Sequence, residues 1–118
     1  MARRDITGAV DFPYLEAYAG GNLELVDEVL GLFREQAQLW SRVLDGEGWE
    51  DAVHTLKGSG RGVGAFALAD ACEAAEDKTL DAAARAVRLD TVRSELDRAI
   101  ADIAAYAHER ALQGLRSA

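Results

Sequence analysis

Apolar residues recur every three or four positions through most of this chain, and that spacing restricts what the chain can fold into. It is the spacing of one face of an α-helix, whereas a half-buried strand would alternate apolar and polar residues. The single proline, Pro13, stands near the start, so no proline interrupts the later periodic segments. With few β-branched residues and no alternating segment, the sequence predicts an all-α fold.

Clusters of glycine and aspartate divide the periodic pattern into one short helix and four longer ones. Asp11 and Pro13 open the short helix, which runs to about Tyr18 before Gly20-Gly21 ends it. The first three longer helices are expected from Asn22 to about Leu44, from about Trp49 to Gly62–Gly64, and from about Ala65 to Lys78. Thr79 to Ala82 form the next connection, and the last and longest helix follows it, with apolar residues in register from Leu89 to Ala107. Short connections make neighbours antiparallel, so we expect an antiparallel four-helix bundle with a short additional N-terminal helix.

The chain length fits one domain. We expect a single domain over residues 1–118, with a core at about 11–107 and a polar tail, 108–118, that frays. Residues 1–5 are not followed by an apolar region, so we expect no signal peptide, and no apolar run approaches the ~20 residues of a membrane span. A cytoplasmic protein is expected. The lone Cys72 excludes an internal disulfide and is predicted to be a small buried apolar residue.

The charge balance limits the partners. With 13 basic and 21 acidic residues the net charge is −8, and the sequence pI is near 4.7. Binding nucleic acid or an anionic membrane requires neutralising phosphates with Lys and Arg, so the composition argues against both. An acidic surface suits solubility and protein partners.

The segment VHTLKGSGRGVGA, residues 53–65, places one of the two histidines beside a lysine, an arginine and four glycines. A helix turns by about 100° per residue, which puts His54 opposite the apolar face. The residues opposite His54 are Ala52, Leu56, Gly60 and Val63. The residues within about 60° of it are Glu50, Lys57, Gly58 and Arg61. His54 is therefore predicted to point away from the core.

These neighbours suit a nucleophile that carries phosphate. Lys57 at i+3 and Arg61 at i+7 favour the neutral imidazole, whose lone pair can attack phosphorus, and can then attract the phosphoryl charge. Gly58 at i+4 leaves room for another molecule's backbone, at a cost in helix stability of about 0.5–1 kcal/mol. Glu50 at i−4 is either a solvated carboxylate or a group that orients the ring.

A nucleotide-binding loop is the alternative interpretation of the same glycines. A P-loop requires Gly-Lys-Ser or Gly-Lys-Thr after a strand, and this chain has no Gly-Lys dipeptide. Residues Gly60 to Ala65 fit the dinucleotide pattern G-x-G-x-x-A, but that pattern has meaning only between a strand and a helix. The helical periodicity before it argues against this interpretation. Gly60 faces inward, where close packing of a neighbouring helix explains it.

The stretch HTLKGS, His54 to Ser59, followed by Val63-Gly64-Ala65, resembles the motif of histidine-containing phosphotransfer domains. The stretch GGNLEL from residue 20, followed by Leu32-Phe33, is similar to that family's approach to its first long helix. The resemblance covers about residues 11–107. The chain departs from the family at Ser59-Gly60, where Ser-Ser or Ser-Ala is common, and carries Arg61 where the family varies.

The resemblance implies a phosphorelay intermediate: a four-helix bundle that accepts a phosphoryl group from a receiver-domain aspartate and passes it to another receiver. By position, His54 is the phosphoacceptor, Lys57 its electrostatic partner, Gly58 clears the approach, and Ser59 is a helper or a small packing residue. No autokinase activity and no cofactor of its own are implied, because the Mg²⁺ belongs to the receiver. The expected partners are receiver domains of response regulators and of a hybrid histidine kinase. The chain is expected to be a monomer.

Three other classes of protein fit the sequence less well. A sensor-kinase dimerisation domain typically has an acidic residue after its histidine and a proline soon after, whereas Thr55 follows His54 and Pro13 is the only proline. A helical adaptor that binds partners without carrying phosphate fits the charge and length equally well, but packing glycines should face inward, unlike Gly58. A metal enzyme is weakest, since the two histidines are far apart in sequence. His108 is predicted to be a surface residue.

Overall fold

A computed structural model describes residues 8–117, with side chains up to Arg116, and forms five helices there. The helices are α1 (Phe12–Tyr18), α2 (Leu23–Ser41), α3 (Trp49–Val63), α4 (Phe66–Ala75) and α5 (Ala82–Ser117). No strand occurs among these residues, so the all-α prediction is confirmed. The predicted order, one short helix followed by four longer ones, is confirmed as well. Residues 1–7 and 118 lie outside the described residues, as does the signal-peptide prediction for residues 1–5.

The predicted caps set the starts of α1 and α2. The Asp11 carboxylate accepts the N–H of Tyr14 at 3.0 Å, and the Asn22 side chain accepts the N–H of Leu25 at 3.1 Å. A cap of this kind stabilises a helix by about 1 kcal/mol. At the end of α3, Gly64 adopts a φ of +89° and donates its N–H to the carbonyl of Gly60. Left-handed backbone favours glycine, which explains why α3 stops there.

Two helix ends differ from the prediction. α2 ends at Ser41, short of Leu44, and α4 ends at Ala75, short of the predicted Lys78. Beyond α4 the Asp77 carboxylate accepts the backbone N–H of Thr79 at 2.9 Å and its hydroxyl at 2.7 Å. This local turn competes with continued helix, which explains the earlier end. α5 is helical through Ser117, so it includes most of the polar tail, residues 108–118. The fraying of this tail stays a prediction.

The four longer helices pack side by side around one core. α2 and α4 each contact both α3 and α5, while α1 lies across α2 and α3. With 36 residues, α5 is about 54 Å long by helix rise, which matches the 55 Å long dimension of the molecule. Cys72 is buried in the core, as predicted. None of the described helices combines the length and apolar character that a membrane span needs.

The inner face of α3 determines which way its outer face points. Val53, Leu56 and Val63 are buried, and each contributes about 1.5–3 kcal/mol by leaving water. Gly60 is also buried, and a Cβ there would lie 3.1 Å from the carbonyl oxygen of Ala65. Close packing against the start of α4 therefore explains Gly60, as predicted. With these residues inside, the opposite face of α3 is presented to solvent.

Candidate functional site

His54 lies on the outer face of α3. Its side chain is 75% exposed, while Val53 beside it in sequence is buried. The predicted orientation away from the core is confirmed. Gly58, one turn further along, has no atom within 4 Å of the position that a Cβ would occupy. The ring is therefore accessible, and the helix surface next to it is open.

The Glu76 carboxylate, at the end of α4, lies close to both Lys57 and His54. Glu76, which caps the C-terminal end of α4, places Oε1 at 2.6 Å from Lys57 Nζ and Oε2 at 3.6 Å from His54 Nδ1. The first contact is a close ion pair, and the second is within ion-pair range but longer than a hydrogen bond. The Lys57 side chain is only 19% exposed. The ion pair holds Lys57 beside the histidine and against α4.

The environment of Glu76 favours its charged form. Partial burial raises the pKa of Glu76, but the hydrogen bond and charge of Lys57, with a smaller contribution from His54, outweigh that effect. The pKa of Glu76 therefore lies below its ordinary value. A negative charge at the C-terminal end of a helix is disfavoured by the helix dipole, so Lys57 also compensates for an unfavourable position.

Arg61 is held less closely than Lys57. Its guanidinium Nη2 lies 3.6 Å from Glu73 Oε2, and both side chains are largely exposed. An exposed pair of this kind contributes little to stability, so Arg61 is free to exchange partners at small cost. The structure thus places Lys57, Gly58 and Arg61 on the same outer face as His54.

Sequence reasoning missed Glu76, and of the two roles that it left open for Glu50, the exposed position fits the solvated carboxylate. The carboxylate at Nδ1 comes from Glu76 rather than from Glu50, which is exposed at the start of α3. Glu76 lies on another helix, and only the packing of α4 on α3 brings the two together. The one available signal was a carboxylate directly after the apolar face of α4, which does not by itself indicate a contact with His54.

A polar groove lies on one side of the histidine. It encloses about 510 Å³ between the starts of α3 and α5 and the end of α4, and His54 and Glu76 line it together with Trp49 and Arg85. The Arg85 guanidinium stacks over the Trp49 ring at 4.6 Å and donates to the carbonyl of Asp77 at 2.8 Å. This stacking joins the start of α3 to the start of α5 at the groove.

An apolar groove lies between α2 and α3. It encloses about 230 Å³ and is lined by Val29, Leu32 and Phe33 of α2 and by Ser59, Gly62 and Val63 of α3. Leu32 is 60% exposed, and Gly62, like Gly58, has open space where a Cβ would be. The Ser59 hydroxyl donates to Gln36 Oε1 at 3.4 Å, so Ser59 links α3 to α2.

The remaining candidates do not form a second site. His108 is exposed on α5, as predicted. Among the residues that the structure describes, no three His, Cys, Asp or Glu side chains come together as metal ligands would.

Comparison with known proteins places the chain in a family. The family model described as the Hpt domain matches residues 23–106. The crystal structure of the histidine phosphotransferase ShpA from Caulobacter crescentus is similar to this one, with a TM-score of 0.80 and 55% identity over 92% of this chain and 99% of that chain. A search of curated proteins returned no match. The chain belongs to the Hpt domain family.

Membership of this family fixes the general role. The protein is a phosphorelay intermediate of two-component signalling, a phosphocarrier whose family interacts with receiver domains. Both the fold expected from the helical spacing and the family indicated by the HTLKGS stretch are confirmed.

Proposed function

We propose that His54 is the residue that carries the phosphoryl group between two receiver domains. The observation that carries this proposal is the placement of an exposed imidazole next to a held cation, Lys57, on an open helix face. Nδ1 lies toward Glu76, which leaves Nε2 as the ring nitrogen not engaged by that carboxylate. Nε2 is therefore the proposed nucleophile.

The transfer needs little covalent machinery from this chain. The Nε2 lone pair attacks the phosphorus of the receiver's acyl phosphate, the P–N bond forms, and the P–O bond to the aspartate breaks with its electron pair on the carboxylate. The second transfer is the reverse reaction with another receiver. Positioning and charge stabilisation dominate phosphoryl transfer, and Lys57 and Arg61, on the same face of α3 as His54, are placed to supply positive charge. The receiver supplies the aspartate and its Mg²⁺.

The receiver docks over the outer face of α3 and the apolar groove beside it. Leu32 offers exposed apolar surface at this groove, and Gly58 and Gly62 present bare helix backbone next to it. Apolar surface next to a functional group is typical of a protein-binding region. His54, Lys57 and Glu76 all come from one chain, which supports our proposal of a monomeric carrier, and a cytoplasmic location stays a prediction.

The chain does not phosphorylate itself from ATP in this proposal. Its glycine-rich segment is the second half of α3 and the cap that follows, where backbone N–H groups bond along the helix. Such a segment offers no strand-to-helix loop for a nucleotide. The phosphoryl group therefore comes from a partner receiver.

The experiment is phosphoryl transfer from a panel of phosphorylated receivers, comparing wild type, His54→Gln and His108→Gln. We expect wild type and His108→Gln to take up an acid-labile, alkali-stable phosphate and His54→Gln to take up none. Labelling that persists in His54→Gln, or disappears in His108→Gln, would remove His54 as the acceptor. Incubation with ATP and Mg²⁺ alone should label none of the three.

A further inference from the structure

Arg61 is a loosely held cation on the outer face of α3. It stands at i+7 from His54, two turns along the helix, which is about 10.5 Å of helix rise. Its side chain is 49% exposed, and its Nη2 lies 3.6 Å from Glu73 Oε2, which is longer than a hydrogen bond. Lys57, by contrast, is 19% exposed and lies 2.6 Å from its carboxylate. Of the two cations, Arg61 is therefore the one that can change partner at small cost.

The helix surface around Arg61 is bare. Gly58 precedes it by about one turn and Gly62 follows it directly, and neither has an atom within 4 Å of the position that a Cβ would occupy. Gly62 also lines the apolar groove between α2 and α3. A receiver that packs against this bare backbone on both sides of Arg61 must also cover the guanidinium. Arg61 therefore lies inside the area over which we propose that the receiver docks.

A covered guanidinium needs an anionic partner, because removing a charge from water without pairing it is strongly unfavourable. A carboxylate matches the planar donor group of arginine, and in the free chain the Glu73 carboxylate already lies beside Arg61. Glu73 is 64% exposed on α4 and does not line the groove between α2 and α3. In the free chain, Glu73 thus occupies the position that the carboxylate of a docked partner would take.

We infer that Arg61 is a specificity-determining residue that selects receivers presenting a carboxylate opposite it, and that Glu73 competes with that carboxylate in the free chain. The inference rests on the proposed docking of a receiver over α3. Docking exchanges the exposed pair of Arg61 with Glu73 for a pair at the interface. The net charge of −8 repels acidic surfaces in general, so an acidic group on a receiver is favoured where it meets Arg61 and disfavoured over most of the molecule.

A double-mutant cycle in receiver binding tests the inference. The cycle combines Arg61→Ala and Glu73→Gln in a chain that also carries His54→Gln, so that no phosphoryl group reaches His54 during the measurement. Binding of the same panel of receivers, unphosphorylated, is measured by titration calorimetry at low ionic strength, and circular dichroism checks that each variant is folded. Asp70→Asn is the matched control, since Asp70 is an exposed acid about one turn before Glu73 on α4.

For the receiver that binds most tightly, we expect Arg61→Ala to raise Kd by about 5- to 10-fold. Glu73→Gln should lower Kd by about 2- to 5-fold, the size that release of an exposed ion pair supports. In the chain with Arg61→Ala, Glu73→Gln should have no more effect than Asp70→Asn. A larger effect of Glu73→Gln in that chain would overturn the competition, since Glu73 would then act without Arg61.

The whole panel tests the selection. Arg61→Ala should weaken the tightest receivers more than the weakest ones, and so narrow the range of Kd. An equal change for every receiver would contradict selection by Arg61. An unchanged Kd for the tightest receiver in a folded Arg61→Ala variant would overturn the inference as a whole.

Binding and labelling together separate this inference from the proposed function. The cycle is measured without transfer, so its result does not depend on which residue carries the phosphoryl group. The expected cycle together with labelling that persists in His54→Gln would retain the role of Arg61 and overturn that of His54. Labelling that needs His54, together with an Arg61→Ala chain that binds every receiver as wild type does, would do the opposite. Failure of every receiver to bind would overturn both the docking and the role of Arg61.

Discussion

Replacing Gly58 with leucine should stabilise the protein and slow its reaction. Gly58 lies inside α3, and no atom stands within 4 Å of the position that a Cβ would occupy. Glycine in a helix interior costs about 0.8–1 kcal/mol relative to alanine, and leucine is close to alanine. Gly58→Leu should therefore raise the free energy of unfolding by about 0.5–1 kcal/mol, or raise Tm by about 2–4 °C for a domain of this size.

The same side chain should obstruct the partner. Gly58 is at i+4 from His54, on the face over which the receiver must approach. A leucine there occupies the space next to the imidazole and holds the partner's aspartate away from Nε2. Misplacement of reacting groups by about 1 Å costs on the order of 100-fold in rate. We expect phosphoryl transfer to fall by about 10- to 100-fold.

The assay pairs transfer kinetics with thermal unfolding, and Gly31→Leu is the matched control. Gly31 also lies inside a helix with open space around its Cβ position, but on the side of α2 that faces α5. The control should gain the same stability and keep its transfer rate. If Gly58→Leu folds with higher Tm and transfers at the wild-type rate, the steric account of Gly58 is wrong. Lower stability would contradict the open space seen in the structure.

Three further predictions concern the fold and its ionisation. Gly64→Ala should destabilise the protein by about 1–3 kcal/mol in urea unfolding, because φ is +89° and the new Cβ would lie 2.9 Å from the Asp11 carbonyl; a neutral result would contradict this packing. The pKa of Glu76 lies below its ordinary 4.5, so the stability from its pair with Lys57 is present above that pH and lost as pH falls through the lowered pKa. In Glu76→Gln, the free energy of unfolding should therefore fall less on acidification than in wild type, by a difference below about 1 kcal/mol. An equal fall in both proteins would refute the link between the Glu76 pKa and stability. Burial, then the charge of Glu76, raise the pKa of Cys72 to about 12, so alkylation at neutral pH should follow unfolding only, and fast labelling of the native protein would disprove it.

The orientation of His54 could be predicted because it depends on one helix alone. A turn of about 100° per residue places His54 opposite Leu56 and Val63 on the helix. The structure buries Leu56 and Val63, in agreement with that placement. Gly60 could be assigned to packing for the same reason, and the structure confirms its close contact with the start of α4. Helix periodicity is the strongest signal that a single sequence carries.

The partner of Lys57 could not be predicted, because it depends on how two helices pack. Glu76 is 22 positions beyond His54 by residue number, and its contact needs both the crossing of α4 over α3 and the point at which α4 stops. In a helix that continued to the predicted end at Lys78, Glu76 would lie inside α4 rather than at its C-cap. The turn formed by Asp77 and Thr79, which ends α4, is a local side-chain effect that apolar periodicity does not report.

The central claim is that His54 carries the phosphoryl group on Nε2. The most direct measurement is ³¹P and ¹⁵N NMR of the chain after transfer from a phosphorylated receiver, which assigns the phosphate to one nitrogen of one histidine. We expect a single phosphoramidate signal coupled to Nε2 of His54, absent from His54→Gln. A signal on His108, or one that remains in His54→Gln, would contradict the account.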